Sequence, residues 1–169
     1  DADREALDVV NHVLGGGMSS RLFEEIREKR GLAYSVYSSP ASYSDAGALT
    51  VYAGTHPERA DAVLDLVEAE LERLATDGIT ADELEVAVGY LTGSYVLGLE
   101  DAGSRMARIG GQVATRGAVR PVEDQIERYR AVGAPEVERA IGRVLQGPRS
   151  LAAVGPLTKK RLAARATPR

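Results

Sequence analysis

LGGGMSSRLFEEIREKRGLAYSV, residues 14–36, runs through a glycine loop, a short helix, a glycine reversal and the start of a strand. Apolar periodicity predicts the helix from about Ser19 to Arg30, with Ser19 or Ser20 as its cap. Gly31 stands where a left-handed C-terminal cap is expected. Tyr34 opens an alternating segment that reads as a strand. Arg27 falls in the last turn of the helix, where a cation suits the dipole. The reversal at Gly31 therefore returns Tyr34 to the side of the Arg27 turn. Such a pair is either a plain surface arginine beside a half-buried strand tyrosine, or a permanent cation and a neutral O–H donor suited to a carbonyl oxygen that gains negative charge.

Upstream, Leu7, Val10, Val13 and Leu14 recur at helical spacing over Arg4–Leu14, and Gly15-Gly16-Gly17 stops that helix. Downstream, Tyr34–Ser39 and Gly47–Gly54 form a predicted hairpin around the turn Ser44-Asp45-Ala46-Gly47. Thr55-His56-Pro57-Glu58 and Thr80-Ala81-Asp82-Glu83 both have the form of capping boxes. The helices they start would bury Val63, Val67, Leu71 and Leu74 in one case, and present Leu84, Val88, Leu91 and Tyr95 in the other. Asp101 caps a further expected helix carrying Met106, Ile109 and Val113. Shorter helices follow Pro121 and Pro135. Ser150–Val154 reads as a final strand before Gly155-Pro156.

This order predicts an α+β domain, with a small mixed, mainly antiparallel sheet and helices packed on one face. The domain is expected over residues 1–156. A chain opening directly in a helix would lack the strand or strands that precede it in such a layer. The tail over 157–169 has five basic and no acidic residues from Lys159 onward and is expected to be solvated and disordered.

Composition narrows the function. At 169 residues and 44% hydrophobic, the chain can bury one real core but not two. A net charge of −4, with both signs dispersed, leaves no stripe for nucleic acid. No apolar run reaches the length of a membrane span. The absence of cysteine excludes disulfides and thiolate metal sites. Arginine supplies 18 of the 21 basic residues, which points to a GC-rich bacterial source, with the cytoplasm as the expected compartment.

The chemistry-bearing patterns are few. His12 and His56 are the histidines, and neither sits in H-x-x-E-H or its inverse, so no metal site is expected in this chain. Ser19, Ser20, Ser35, Ser38 and Ser39 lack a nucleophile-elbow context. The triglycine loop follows a helix and carries no lysine, which removes a phosphate loop and leaves a plain turn or a substrate-facing loop.

The run Leu14–Val36 resembles the C-terminal half of bacterial peptidases of the pitrilysin and mitochondrial-processing-peptidase family. The likeness continues through Tyr43-Ser44-Asp45-Ala46-Gly47, Asp77–Leu84, Leu97–Asp101 with Ser104-Arg105-Met106, and Ala152–Pro156. In that family related α+β halves enclose a chamber, and the N-terminal half holds zinc through H-x-x-E-H and a distal glutamate. The C-terminal half contributes an arginine and a tyrosine seven residues apart, which are Arg27 and Tyr34 here. The resemblance implies that Tyr34 donates to the scissile carbonyl as it becomes tetrahedral, while Arg27 orients the same segment. It makes Gly15, Gly16 and Gly17, a shortened glycine-rich loop, candidates for substrate contact. It implies zinc in the complete enzyme but none in this chain, a peptide or unfolded protein as substrate, and an N-terminal zinc half as partner, upstream in the same chain or as a separate subunit. Homo-oligomerisation through an open sheet edge is a further expectation. The alternative is a non-catalytic subunit or scaffold of the same fold beside a separate zinc subunit.

Overall fold

The computed structural model describes residues 2–43, 45–156 and 158. Its centre is a helix, α1 (Arg4–Leu14), whose Ala6, Val9, Val10, Val13 and Leu14 are all buried. Apolar side chains on more than one side of α1 let it pack against several neighbours at once. After the glycine loop comes a wide turn of π-helix (Phe23–Glu28), and then the hairpin β1 (Ala33–Ser42) and β2 (Gly47–Thr55). A 3₁₀ turn (Pro57–Arg59) leads into α2 (Ala60–Asp77), followed by α3 (Ala81–Gly98), α4 (Ala102–Arg116), α5 (Val122–Arg130) and α6 (Ala134–Leu145). The α+β expectation holds.

Among the described residues the sheet is two strands wide and purely antiparallel. Its inner face, including Ala33, Val36, Leu49, Val51 and Ala53, joins a core built with Leu22, Ile26, Val63, Leu74 and Ala87. Val137, Ala140 and Ile141 of α6 close that core against α1 and α2. The outer face is left open, with Tyr37 and Tyr52 paired across the ladder and stacked at 5.1 Å. The hairpin is longer than alternation suggested, because β1 runs on through Pro40 opposite Leu49. Ser38 N–H leaves the ladder for the Gly15 carbonyl at 3.0 Å. Pro40, two residues on, has its missing donor on that same outer side, so the ladder loses no bond.

Ser150–Val154 is the expectation the structure overturns. The segment forms no strand, and Val154 is fully exposed. A strand exists through its ladder partners, and among the described residues this segment pairs with none. The apolar row of α4 also departs from a core role: Met106, Ile109 and Val113 stay exposed. The turn residue Ser44 and the basic tail over 157–169, Thr158 apart, lie outside the described residues.

Helix starts divide in an instructive way. Thr80 and Glu83 form the complete reciprocal box, and Asp101 accepts from the Ser104 N–H at 2.6 Å. At Thr55 no box forms. Its hydroxyl donates instead to the Leu32 carbonyl at 2.6 Å, and a 3₁₀ turn separates it from α2. Among the described residues no helix is long and apolar enough to cross a membrane.

Candidate active-site turn

The Arg27–Tyr34 reversal is anchored from below. Leu22 and Ile26, one helical turn apart, are fully buried and seat the π turn on the core. Arg21, itself buried, grips both Glu83 carboxylate oxygens at 2.7 Å and the Gly78 carbonyl at 2.9 Å. That fork ties the start of the turn to the α2–α3 junction. Burial, the largest influence, would raise the Glu83 carboxyl, but the hydrogen bonds and charge of Arg21 together with the hydrogen bonds from Thr80 outweigh it and hold the group below the ordinary carboxylate range. Because Leu22 and Ile26 face inward, Phe23 and Arg27 come out together on the opposite side.

Local geometry then aims the two candidate residues. Lys29 N–H reaches back five residues to the Glu24 carbonyl, which widens the helix around Arg27. Ser20 does not cap this helix as expected, since its hydroxyl donates to the Gly17 carbonyl at 2.5 Å. Gly31 adopts φ +58°, the left-handed value expected of the cap, and the Leu32 N–H closes on the Ile26 carbonyl. The Arg59 guanidinium holds the Gly31 carbonyl at 2.9 Å, and Thr55 holds its neighbour. Ala33 pairs with Thr55 while Ser35 pairs with Gly54, so Tyr34 is the extra residue of a β-bulge.

These two irregularities bring Arg27 and Tyr34 together. The Arg27 guanidinium carbon lies 4.8 Å from the Tyr34 ring centroid and 4.7 Å from that of Phe23. Tyr34 is 84% exposed. Among the described residues its hydroxyl makes no hydrogen bond, and the nearest carboxylate to Arg27 is Glu28 at 3.7 Å, beyond hydrogen-bonding range. The pair thus presents a cationic fork and a phenolic O–H with their donors unused. Phe23 was not singled out as a site residue from sequence. Its position four residues before Arg27, on the same helix face, is the signal that would have found it.

The triglycine loop lies elsewhere. Gly15 packs against β1 at Ser38, roughly 13 Å along the strand from Tyr34 at ordinary strand rise. A Cβ on Gly15 would stand 2.4 Å from the Ser38 nitrogen, so close backbone approach explains this glycine. Gly16 is exposed and Gly17 half-buried against the His12 ring.

Residues 1–91, more than half of the chain, match the peptidase M16 inactive domain. The chain belongs to that family. This M16 domain is 48% identical over 95% of its length to an uncharacterized zinc protease of Streptomyces coelicolor, covering 35% of that protein. An uncharacterized zinc protease of Mycobacterium tuberculosis is 45% identical over 94% of the chain, which covers 36% of it. The chain therefore spans about a third of the curated relatives it matches. Among solved structures, the peptidase M16 inactive domain from Pseudomonas fluorescens superposes with a TM-score of 0.72 at 27% identity, over 85% of this chain and 34% of that one.

The described residues of this domain do not fit a zinc site. His12 is buried and stacked on Tyr90 at 4.3 Å, with burial pushing its imidazole below the usual range. His56 is exposed at a helix start, 3.9 Å from Glu58. Among the described residues no three His, Asp or Glu side chains converge as ligands.

Proposed function

We propose that this domain completes the substrate chamber of a zinc endopeptidase, supplying donors to the scissile peptide while a separate zinc-binding half holds the metal. The supporting observation is the convergence of Arg27 and Tyr34 with unused donors on an exposed turn. Tyr34 donates its O–H to the carbonyl oxygen as negative charge builds on it, and Arg27 orients the same segment of peptide. A donor of this kind matters most where charge develops, so it acts on the chemical step. Arg27, by contrast, holds the bound peptide before and during reaction and acts on binding. Gly16 and Gly17 lie on the loop beside the middle of β1, where an extended peptide leaving the Tyr34 position along the strand would pass. The match to the M16 inactive domain supports assigning the cut itself to the other half.

The test is steady-state kinetics on a fluorogenic peptide with both halves present. Tyr34→Phe should lower kcat and kcat/KM together by on the order of 10²–10³ and leave KM nearly unchanged. Full kcat in a folded, metal-replete Tyr34→Phe enzyme would make Tyr34 a surface residue and end this reading.

A further inference from the structure

Arg27 is held in an unusual way. Its guanidinium has no hydrogen-bonding partner among the described residues, and Glu28 approaches only to 3.7 Å. What lies against it are two aromatic faces, Phe23 at 4.7 Å and Tyr34 at 4.8 Å. A guanidinium lying over a ring is attracted through its face, which leaves the N–H edge free to point outward. Stacking therefore orients the fork without consuming its donors, as a salt bridge would.

Phe23 has no other evident work. It is the chain's one phenylalanine, it is only half-buried, and it is absent from the apolar core that takes in its neighbours Leu22 and Ile26. Tyr34 comes from the following strand and carries a hydroxyl for the substrate. Phe23 shares a helical face with Arg27 and carries nothing but its ring.

We propose that Phe23 is a positioning residue, whose ring presets the Arg27 fork to receive the peptide carbonyl; this rests on the function proposed above. Phe23 touches no substrate and acts through Arg27 alone. An arginine freed from its stack samples more rotamers and loses more freedom on binding, so the cost falls on peptide affinity.

The experiment is a double-mutant cycle with both halves present, read on a fluorogenic peptide. Phe23→Leu should raise KM about two- to fivefold, the factor equivalent to one exposed cation–π contact, with kcat within about twofold. Phe23→Tyr should restore KM, because it restores the ring. In an Arg27→Ala background, Phe23→Leu should change KM no further. An equal Phe23→Leu effect in both backgrounds would mean that the ring meets the peptide itself, and would overturn the inference while leaving the Arg27–Tyr34 reading intact. An Arg27→Ala enzyme with unaltered KM would remove Arg27 from substrate binding, and the inference with it. A second readout needs no turnover. In this chain the Arg27 Nε–H proton should carry a ring-current shift that Phe23→Leu reduces, and an unchanged shift would also overturn the stack.

Discussion

Two arginine-bearing clusters on this domain use the same chemistry to opposite ends. Around Glu5, on α1, several donors converge on one buried carboxylate. The buried carboxylate receives Arg128 at 2.9 and 3.0 Å, Arg120 at 3.1 Å and Gln125 at 3.2 Å. Arg120 also bonds Gln125 at 2.7 Å, and its carbonyl accepts from Arg108. The cluster ties the first helix to residues more than a hundred positions away. At the Arg27–Tyr34 turn, a half-buried guanidinium, with Glu28 no nearer than 3.7 Å, and an exposed phenol stand without hydrogen bonds on two backbone irregularities. Saturated donors hold a fold together, whereas unsaturated donors on a braced turn are available to something else.

If that contrast is right, the Glu5 cluster should dominate stability. Burial pushes the Glu5 carboxyl up, but hydrogen bonds from Arg128 and Gln125 outweigh it and bring it from 4.5 to about 2. A folded-state value below the unfolded one means stabilisation that is complete above pH 4.5 and lost as pH falls toward 2. Glu5→Ala should cost about 2–3 kcal/mol at neutral pH, or on the order of 5–10 °C in Tm. The variant should also show a flatter loss of stability between pH 4.5 and 2 than the parent. Urea denaturation across that window checks both. A parent and variant that lose stability in parallel would break the comparison.

Gly15 comes next. Its replacement by alanine forces a Cβ against the β1 backbone at Ser38, so Gly15→Ala should lose about 1–3 kcal/mol. Thermal melting measures it. A neutral Gly15→Ala would return this glycine to a substrate-facing role. Smallest of all should be the changes at the Arg27–Tyr34 pair, with Tyr34→Phe expected to shift stability by less than about 0.5 kcal/mol and Arg27→Ala, which removes two cation–π contacts, by about 1 kcal/mol. A larger loss in either would move the turn to the structural side.

The pattern of what could be read ahead follows from chemical distance. Gly31, the seven-residue spacing of Arg27 and Tyr34, the Thr80 box and the Asp101 cap are local devices, and each stands where its residues imply. The π turn and the bulge at Tyr34 insert single residues into regular elements, and no periodicity announces them. Thr55 reads as a cap by composition, but the Leu32 carbonyl, brought near by the hairpin, claims its hydroxyl first. Glu5 meets its partners only after α5 folds back onto α1, so nothing near it in sequence marks it. Ser150–Val154 reads as a short apolar strand, but among the described residues it has no ladder partner to make it one. Phe23 was not singled out from sequence, and its ring centroid lies 4.7 Å from the Arg27 guanidinium carbon.

The most direct test of the central claim separates ground-state from transition-state contact. With both halves present, a phosphinic peptide, whose tetrahedral centre mimics the reacting carbonyl, and the matching uncleaved amide peptide would be measured against the parent and Tyr34→Phe. The account predicts that Tyr34→Phe weakens the phosphinic peptide by on the order of 10²–10³ while the amide peptide shifts less than about twofold. Equal affinity of both ligands for parent and variant, or an equal loss for both, would contradict it.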